Sequence, residues 1–115
     1  MSRTTLSLSD EWETPQNLFE WLCHRYNFYP DVDVCATQKN KKCDYYFGND
    51  HVFQDRRDGL KNTWGFVNWC NPPHSQTEKW VKKTCHEFVK NHSETMMLIP
   101  ANSMCTTYAE ACIEP

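Results

Sequence analysis

The stretch that decides the fold is Trp64 to Cys70 (WGFVNWC), which runs directly into Asn71-Pro72-Pro73-His74. Its aromatic and β-branched side chains predict a buried strand. The prolines end that strand, because neither has an N–H to donate to a ladder. From a cap at Ser75 or Thr77 the pattern is helical to about Asn91. This stretch therefore predicts a strand followed by a crossover helix.

Strand and helix patterns also alternate on either side of this stretch. Working outward, the predicted elements are a helix capped by Thr14 and ended by Asn27, a strand over 31–36, a polar loop over 37–44, an irregular stretch over 54–62, a buried strand over 95–99 and a last helix over 104–113. The central helix is expected to bury one face, made of Trp80, Val81, Cys85, Phe88 and Val89.

This order predicts an α/β fold with a mostly parallel sheet and crossover helices. Only three strands are visible, which is few for this class, so we expect a fold that is incomplete at its C-terminus. A length of 115 residues is consistent with a single domain over 1–115.

Composition excludes several classes of protein. No run approaches the ~18 apolar residues of a membrane span, and no signal peptide is visible, so we expect a cytoplasmic protein. Three glycines are too few for a glycine-rich phosphate loop. A net charge of −3 gives no electrostatic argument for nucleic acid by itself.

The seven cysteines do not have the spacing of a zinc site. An odd number of cysteines without a secretory signal also argues against a disulfide framework. We therefore expect reduced cysteines that pack as small apolar side chains, and no metal.

The tetrapeptide Asn71-Pro72-Pro73-His74 offers specific chemistry. Ligands of open α/β sheets bind beyond the carboxyl ends of the strands, which is where this tetrapeptide falls. Asn71 presents a side-chain carbonyl, and Pro72 presents a backbone carbonyl that is held rigid. Two such acceptors can bind both hydrogens of an exocyclic amine, while the ring of His74 projects over the base.

Here the chain resembles a known family, the phage-type DNA N-6-adenine methyltransferases (Dam). Asn-Pro-Pro-aromatic is typical of amino-group DNA methyltransferases, and the other matching residues follow in order along most of the chain. They are Glu11-Trp12-Glu13-Thr14-Pro15, Leu18-Phe19, Asp33-Val34-Cys35-Ala36, Asn40, Cys43, Tyr46-Phe47, Asp58-Gly59-Leu60, Trp64, Trp69-Cys70-Asn71-Pro72-Pro73-His74-Ser75, Trp80-Val81 and Leu98-Ile99-Pro100-Ala101.

The resemblance implies a Rossmann-like enzyme that transfers methyl from S-adenosylmethionine to N6 of adenine in double-stranded DNA. It implies that Asn71 and Pro72, with Pro73, hold the amine and that His74 stacks on the flipped base. The residues that it implies for cofactor binding are Trp12, Thr14, Pro15, Asp33, Cys35, Ala36 and Asp58.

His74 stands where the family has Tyr, Phe or Trp. A neutral imidazole stacks more weakly than a larger ring, and its cation would oppose positive charge developing on N6. We expect retained but pH-sensitive activity, or weakened activity.

Several alternatives stay open at this point. Asp33 and Asp58 are also typical of turns and caps, and Lys79, Lys82 and Lys83 of a solvated helix face. A methyltransferase of RNA or protein amide nitrogen, and an inactive remnant or binding module, are the other functions considered.

Overall fold

A computed structural model of the chain describes residues 12–99, which build an α/β arrangement around one parallel sheet. Its two α-helices and four strands are α1 (Gln16–Tyr26), β1 (Val32–Asp33), β2 (Tyr45–Tyr46), β3 (Val67–Cys70), α2 (Thr77–Asn91) and β4 (Glu94–Met97). The α/β class and the parallel sheet predicted from the sequence are confirmed, and this arrangement is compatible with a Rossmann-like fold. The last predicted helix, and Pro100-Ala101, lie outside the described residues.

The strand order β2-β1-β3-β4 places β1 and β3 side by side in the middle of the sheet. Their register pairs Val32 with Asn68 and Asp33 with Trp69. The chain leaves β1 toward β2 on one side and returns to β3 on the other. The strand order therefore reverses between β1 and β3, and a crevice is expected at their carboxyl ends.

Successive residues of β3 point to opposite faces of the sheet, and a helix packs against each face. Trp69 packs edge to face on Phe19 of α1, with ring centroids 4.9 Å apart. The next residue, Cys70, is fully buried in a second cluster that includes Trp80 of α2. The apolar core is thus divided into two layers by the sheet.

Strand β2 was not predicted, and β1 is shorter than its pattern indicates. β2 is two residues long and is recruited by pairing with β1. After β1 the chain stays hydrogen-bonded to both neighbours, from Val34 N–H to the Trp69 carbonyl and from Ala36 N–H to the Phe47 carbonyl, each at 3.0 Å. The predicted strand over 31–36 thus continues past β1 as a loop held to the sheet.

The predicted buried face of α2 is correct for Trp80 and Val81 but wrong at its C-terminal end. Phe88 is 55% exposed and Val89 is 48% exposed. Glu87 is buried there instead, because its carboxylate accepts a hydrogen bond from the Trp64 backbone N–H. Strand β4 is half-buried, not fully buried as its apolar run predicts. Within 12–99 no helix has the length and apolar character needed to cross a membrane.

Candidate active site

A cavity of about 760 Å³ opens at the carboxyl ends of β1 and β3. Its volume falls within the roughly 300–1,000 Å³ typical of small-molecule sites. Eight of the site residues proposed from the sequence lie in its wall: Trp12, Thr14, Asp33, Cys35, Ala36, Asp58, Asn71 and Pro73. Pro15, Pro72 and His74 are not among its lining residues. The topology thus brings together segments that are far apart in the sequence.

Asn71 directly follows β3. Its amide nitrogen is hydrogen-bonded within the protein, so the amide nitrogen is not the group that would bind a ligand. Its Nδ2 donates to Thr14 Oγ1 at 2.9 Å and to the Trp12 carbonyl at 3.5 Å. Its Oδ1 is buried, and no hydrogen-bond partner is found for it in the described part of the chain. A buried acceptor without a donor is rare and costly, so Asn71 is suited to accept from a ligand.

Thr14 does not cap helix α1, so the prediction made from the sequence is wrong at this residue. The cap position of α1 is Pro15, which makes no side-chain cap bond and whose carbonyl accepts from Leu18 and Phe19 N–H, both at 3.1 Å. Pro15 thus starts a helix and stays out of the cavity. Thr14 is 3% exposed, and its hydroxyl is turned to Asn71.

The two prolines and His74 shape the turn after β3. Pro72 is buried, and the Pro73 carbonyl accepts from Gln76 N–H at 2.9 Å, which starts a 3₁₀ turn over His74–Gln76. The His74 ring lies 6.5 Å from the Trp12 ring at a tilt of 35°. Of these two rings, that of Trp12 belongs to a residue of the cavity wall and that of His74 does not.

Asp33 ends β1 and is 2% exposed. Burial raises the pKa of its carboxyl to about 7, although hydrogen bonds from the backbone N–H groups of Lys42 and Cys35, and the charge of Lys42, act in the opposite direction. Those bonds are 2.9 Å to Oδ2 and 3.3 Å to Oδ1. Asp33 therefore fixes the loop that follows β1, as its turn interpretation expects.

Asp58 caps a 3₁₀ turn over Gly59–Lys61, because its Oδ1 accepts from Leu60 N–H at 2.9 Å. This supports the turn interpretation, and the residue also lies in the cavity wall. Two glycines that sequence reasoning did not assign to the site pack their backbones onto the segment after β1. A Cβ at Gly59 would overlap the Val34 carbonyl oxygen, and one at Gly48 would overlap that of Ala36.

Several further lining residues were missed by sequence reasoning: Asn40, Lys42, Arg57, Gln76 and Trp80. Lys42 Nζ donates to Gln16 Oε1 at 3.1 Å, and Arg57 Nε donates to the His51 carbonyl at 2.7 Å. Both cations lie in loops without periodicity, so no pattern marks them. Asn40 and Trp80 are among the residues that carry the family resemblance, but neither was assigned a role in the site.

The cysteines within 12–99 are not paired in disulfides. Burial, followed by the charges of Asp33 and Asp58, raises the pKa of Cys35 to about 12. A thiol of that pKa is neutral near pH 7 and is a poor nucleophile. No group of three or more His, Cys, Asp or Glu side chains within 12–99 could hold a metal.

Comparison with known proteins gives one family and two relatives. A family model described as DNA N-6-adenine-methyltransferase (Dam) matches residues 1–114. A DNA N-6-adenine-methyltransferase of Escherichia phage T1 is 30% identical over 112 residues, which is 96% of this chain and 44% of that protein. One of Haemophilus phage HP1 is 26% identical over 113 residues, or 97% of this chain and 61% of that protein.

The chain thus spans about half the length of these curated relatives, 44% of one and 61% of the other. No solved structure matches it.

Proposed function

The chain belongs to the DNA N-6-adenine-methyltransferase (Dam) family, and from this premise we propose that it transfers a methyl group to N6 of adenine in double-stranded DNA. The proposed methyl donor is S-adenosylmethionine. The observation that carries the proposal is the buried Asn71 Oδ1 at the end of β3, in the wall of the cavity and without a donor among residues 12–99.

The cavity residues fit S-adenosylmethionine in size and in chemistry. A volume of about 760 Å³ is ample for such a ligand, and the wall combines carboxylates, cations and aromatic rings. In this proposal Asp58, with the backbone of Cys35 and Ala36, holds its hydroxyl- and ammonium-bearing parts, and Trp12 packs on an apolar face. Asp33 contributes by fixing the loop, since both its oxygens already accept from backbone N–H groups. When bound, this cofactor supplies an activated methyl group on a sulfonium.

Asn71 is proposed to hold the adenine amine. Its free Oδ1 accepts one N6 hydrogen, and the Pro72 carbonyl is assigned the second. The lone pair of the nitrogen would then be left to form the bond to the methyl group as the sulfonium departs as a neutral thioether, and the methylated nitrogen would afterwards lose one proton to water. No strong general base is needed for this arrangement, so positioning supplies most of the rate.

The target base must leave the duplex before it reaches a cavity at the edge of the sheet. Extrusion costs a few kcal/mol of stacking and pairing. His74, whose ring lies 6.5 Å from that of Trp12, is proposed to cover the extruded base. Lys42 and Arg57 lie at the cavity and are proposed to contact phosphates, which makes DNA binding depend on salt.

The test is transfer of a tritiated methyl group from S-adenosylmethionine to duplex DNA, with RNA and protein as competing acceptors. Asn71→Ala is expected to lose at least ~99% of transfer to DNA, because the amine loses its acceptor, while binding of S-adenosylmethionine changes little, because Asp58 and the backbone of Cys35 and Ala36 are kept. Asn91→Ala is the matched control, since Asn91 Nδ2 donates to Glu87 within α2, at 3.2 Å, and Asn91 lies outside the cavity wall.

Equal turnover by wild type and Asn71→Ala would contradict the role of Asn71. Transfer to RNA or protein, but not to DNA, would favour the other methyltransferase classes. A wild-type chain that binds no S-adenosylmethionine in calorimetry would be a remnant or binding module.

A further inference from the structure

We propose that Thr14 is a positioning residue for Asn71, which keeps the carboxamide oxygen turned toward the ligand. This inference rests on the proposed function, because it concerns the residue that is assigned to the adenine amine. It also differs from the role that family resemblance implies for Thr14, which is contact with the cofactor.

The hydrogen bond between these side chains is short and partly buried. Asn71 Nδ2 donates to Thr14 Oγ1 at 2.9 Å, across a separation of 57 residues. Thr14 is 3% exposed, and its hydroxyl does not cap α1, whose cap position is Pro15. The segment before α1 is thereby tied to the carboxyl end of β3.

This bond alone does not choose the direction of the amide, because a hydroxyl can donate or accept. The Trp12 carbonyl can only accept, and it lies 3.5 Å from Asn71 Nδ2. A reversed amide would set Oδ1 against that carbonyl. Trp12 therefore selects the direction, and the shorter bond to Thr14 fixes the amide in it.

The donors and the acceptor of the Asn71 carboxamide determine which ligand group it can bind. Both Nδ2 hydrogens are used by Thr14 and Trp12, whereas Oδ1 is buried with no donor found in the described region. An amine donor is therefore the group that completes Asn71. A Thr14 hydroxyl occupied in this way is also less available to a cofactor.

The experiment compares Thr14→Val, which keeps the shape and removes the hydroxyl, with Thr14→Ser, which keeps the hydroxyl. Thr84→Val is the matched control, because Thr84 Oγ1 donates to the Trp80 carbonyl at 2.8 Å within α2 and is not part of the cavity wall. Each variant of the full chain is measured for single-turnover methyl transfer to adenine-containing duplex, and for S-adenosylmethionine binding by calorimetry.

Thr14→Val is expected to slow methyl transfer about 10- to 100-fold, as misplacement of a reacting group does, with a cofactor Kd within about twofold of wild type. Thr14→Ser and Thr84→Val should stay within about threefold of the wild-type rate. The double variant Thr14→Val/Asn71→Ala should be no slower than Asn71→Ala, because Thr14 acts through Asn71. Wild-type turnover by Thr14→Val, or a loss of cofactor affinity that accounts for its slower rate, would overturn the proposal.

A second readout does not depend on activity. In ¹⁵N-asparagine-labelled protein, the Asn71 side-chain amide is identified by its loss in Asn71→Ala. Slow exchange of its Nδ2 hydrogens in the wild type, and faster exchange in Thr14→Val, are expected. Fast exchange in the wild type would refute the positioning role even if Thr14→Val fails to fold. A wild type with protected Nδ2 hydrogens but no methyl transfer to DNA would retain that role and reject the proposed function.

Discussion

The Asp33 carboxyl lies in the cavity wall, where its burial opposes its ionisation. It is 2% exposed, and burial raises its pKa to about 7 against an ordinary value of 3.8. Its two oxygens accept from Cys35 and Lys42 N–H groups, so the carboxyl shapes the loop at the cost of being desolvated. A single side chain thus links the geometry of the site to the stability of the fold.

This link predicts how stability changes with pH. Between about pH 4 and pH 7 the unfolded chain has lost the Asp33 proton while the folded chain keeps it. The contribution of Asp33 to the free energy of unfolding therefore falls as pH rises through this window, by at most about 4 kcal/mol, and is constant above it. Urea unfolding should show that the free energy of unfolding decreases less from pH 5 to pH 8 for Asp33→Asn than for wild type.

Asp44→Asn provides the control for that measurement. The Asp44 side chain is fully exposed, and its pair with Lys41 at 3.7 Å is loose. Its pH dependence should match that of the wild type. Identical slopes for Asp33→Asn and wild type would contradict the assignment to Asp33.

His74 supports a prediction of its own. A phenol ring has more area than an imidazole for stacking on a base, so His74→Tyr should retain or raise methyl transfer, whereas His74→Ala should lower it about tenfold or more. Single-turnover transfer to duplex DNA measures both. A complete loss of transfer in His74→Tyr would mean that His74 does something other than stack.

Helix α2 is held at its C-terminal half by a buried acid, not by the apolar residues around it. Burial would by itself raise the pKa of Glu87, but hydrogen bonds from Trp64 N–H, Lys83 and Asn91 hold it below its ordinary value. The bond from Trp64 is 3.0 Å long and the one from Lys83 is 2.9 Å long. The acid thus joins the helix to the start of the segment that leads into β3.

Glu87→Gln should destabilise the fold by about 1–3 kcal/mol at pH 7, since the new amide puts an N–H donor against the Lys83 ammonium. The lowered pKa means that the stabilisation is present above the ordinary value of 4.5 and is lost as pH falls through the folded value. Urea unfolding of wild type and variant should therefore converge in acid.

Glu78→Gln is the matched control, because Glu78 and Lys82 form an exposed pair at the same spacing, 3.1 Å apart. Its loss should be below about 0.5 kcal/mol. An equal loss in both variants would show that burial does not strengthen the Glu87 pair.

The elements that sequence predicted well are those with their own periodicity or stop signals. Helix α1 ends at Asn27 in the left-handed conformation, and β3 ends at the prolines, as expected. Strand β2 has no such signal, because two tyrosines become a strand only by pairing with β1. The prediction of the buried face was wrong at the end of α2, because Phe88 and Val89 are apolar but exposed, whereas Glu87 is buried through its hydrogen bonds.

At the scale of the whole molecule, the sequence predicted segments that the fold brings to one cavity, but it did not predict the contacts between them. Asn71 and Pro73 at the end of β3 line one cavity together with Trp12, Asp33 and Asp58, as do other residues of these segments. The bond of Thr14 to Asn71 spans 57 residues, and no local pattern encodes it. Lys42 and Arg57 were missed for the same reason, since only the sheet topology brings their loops to the cavity.

The oxygen of Asn71, which has no donor among residues 12–99, also bears on which nucleobases the proposed site can discriminate. Guanine carries an oxygen at the ring position where adenine carries its amine, so it would set one acceptor against another at Asn71 Oδ1. Unfavourable pairings of this kind reject a close analogue far more strongly than a change in size does. Discrimination between the two purines would then come from the Asn71 oxygen, with the Pro72 carbonyl as the second acceptor.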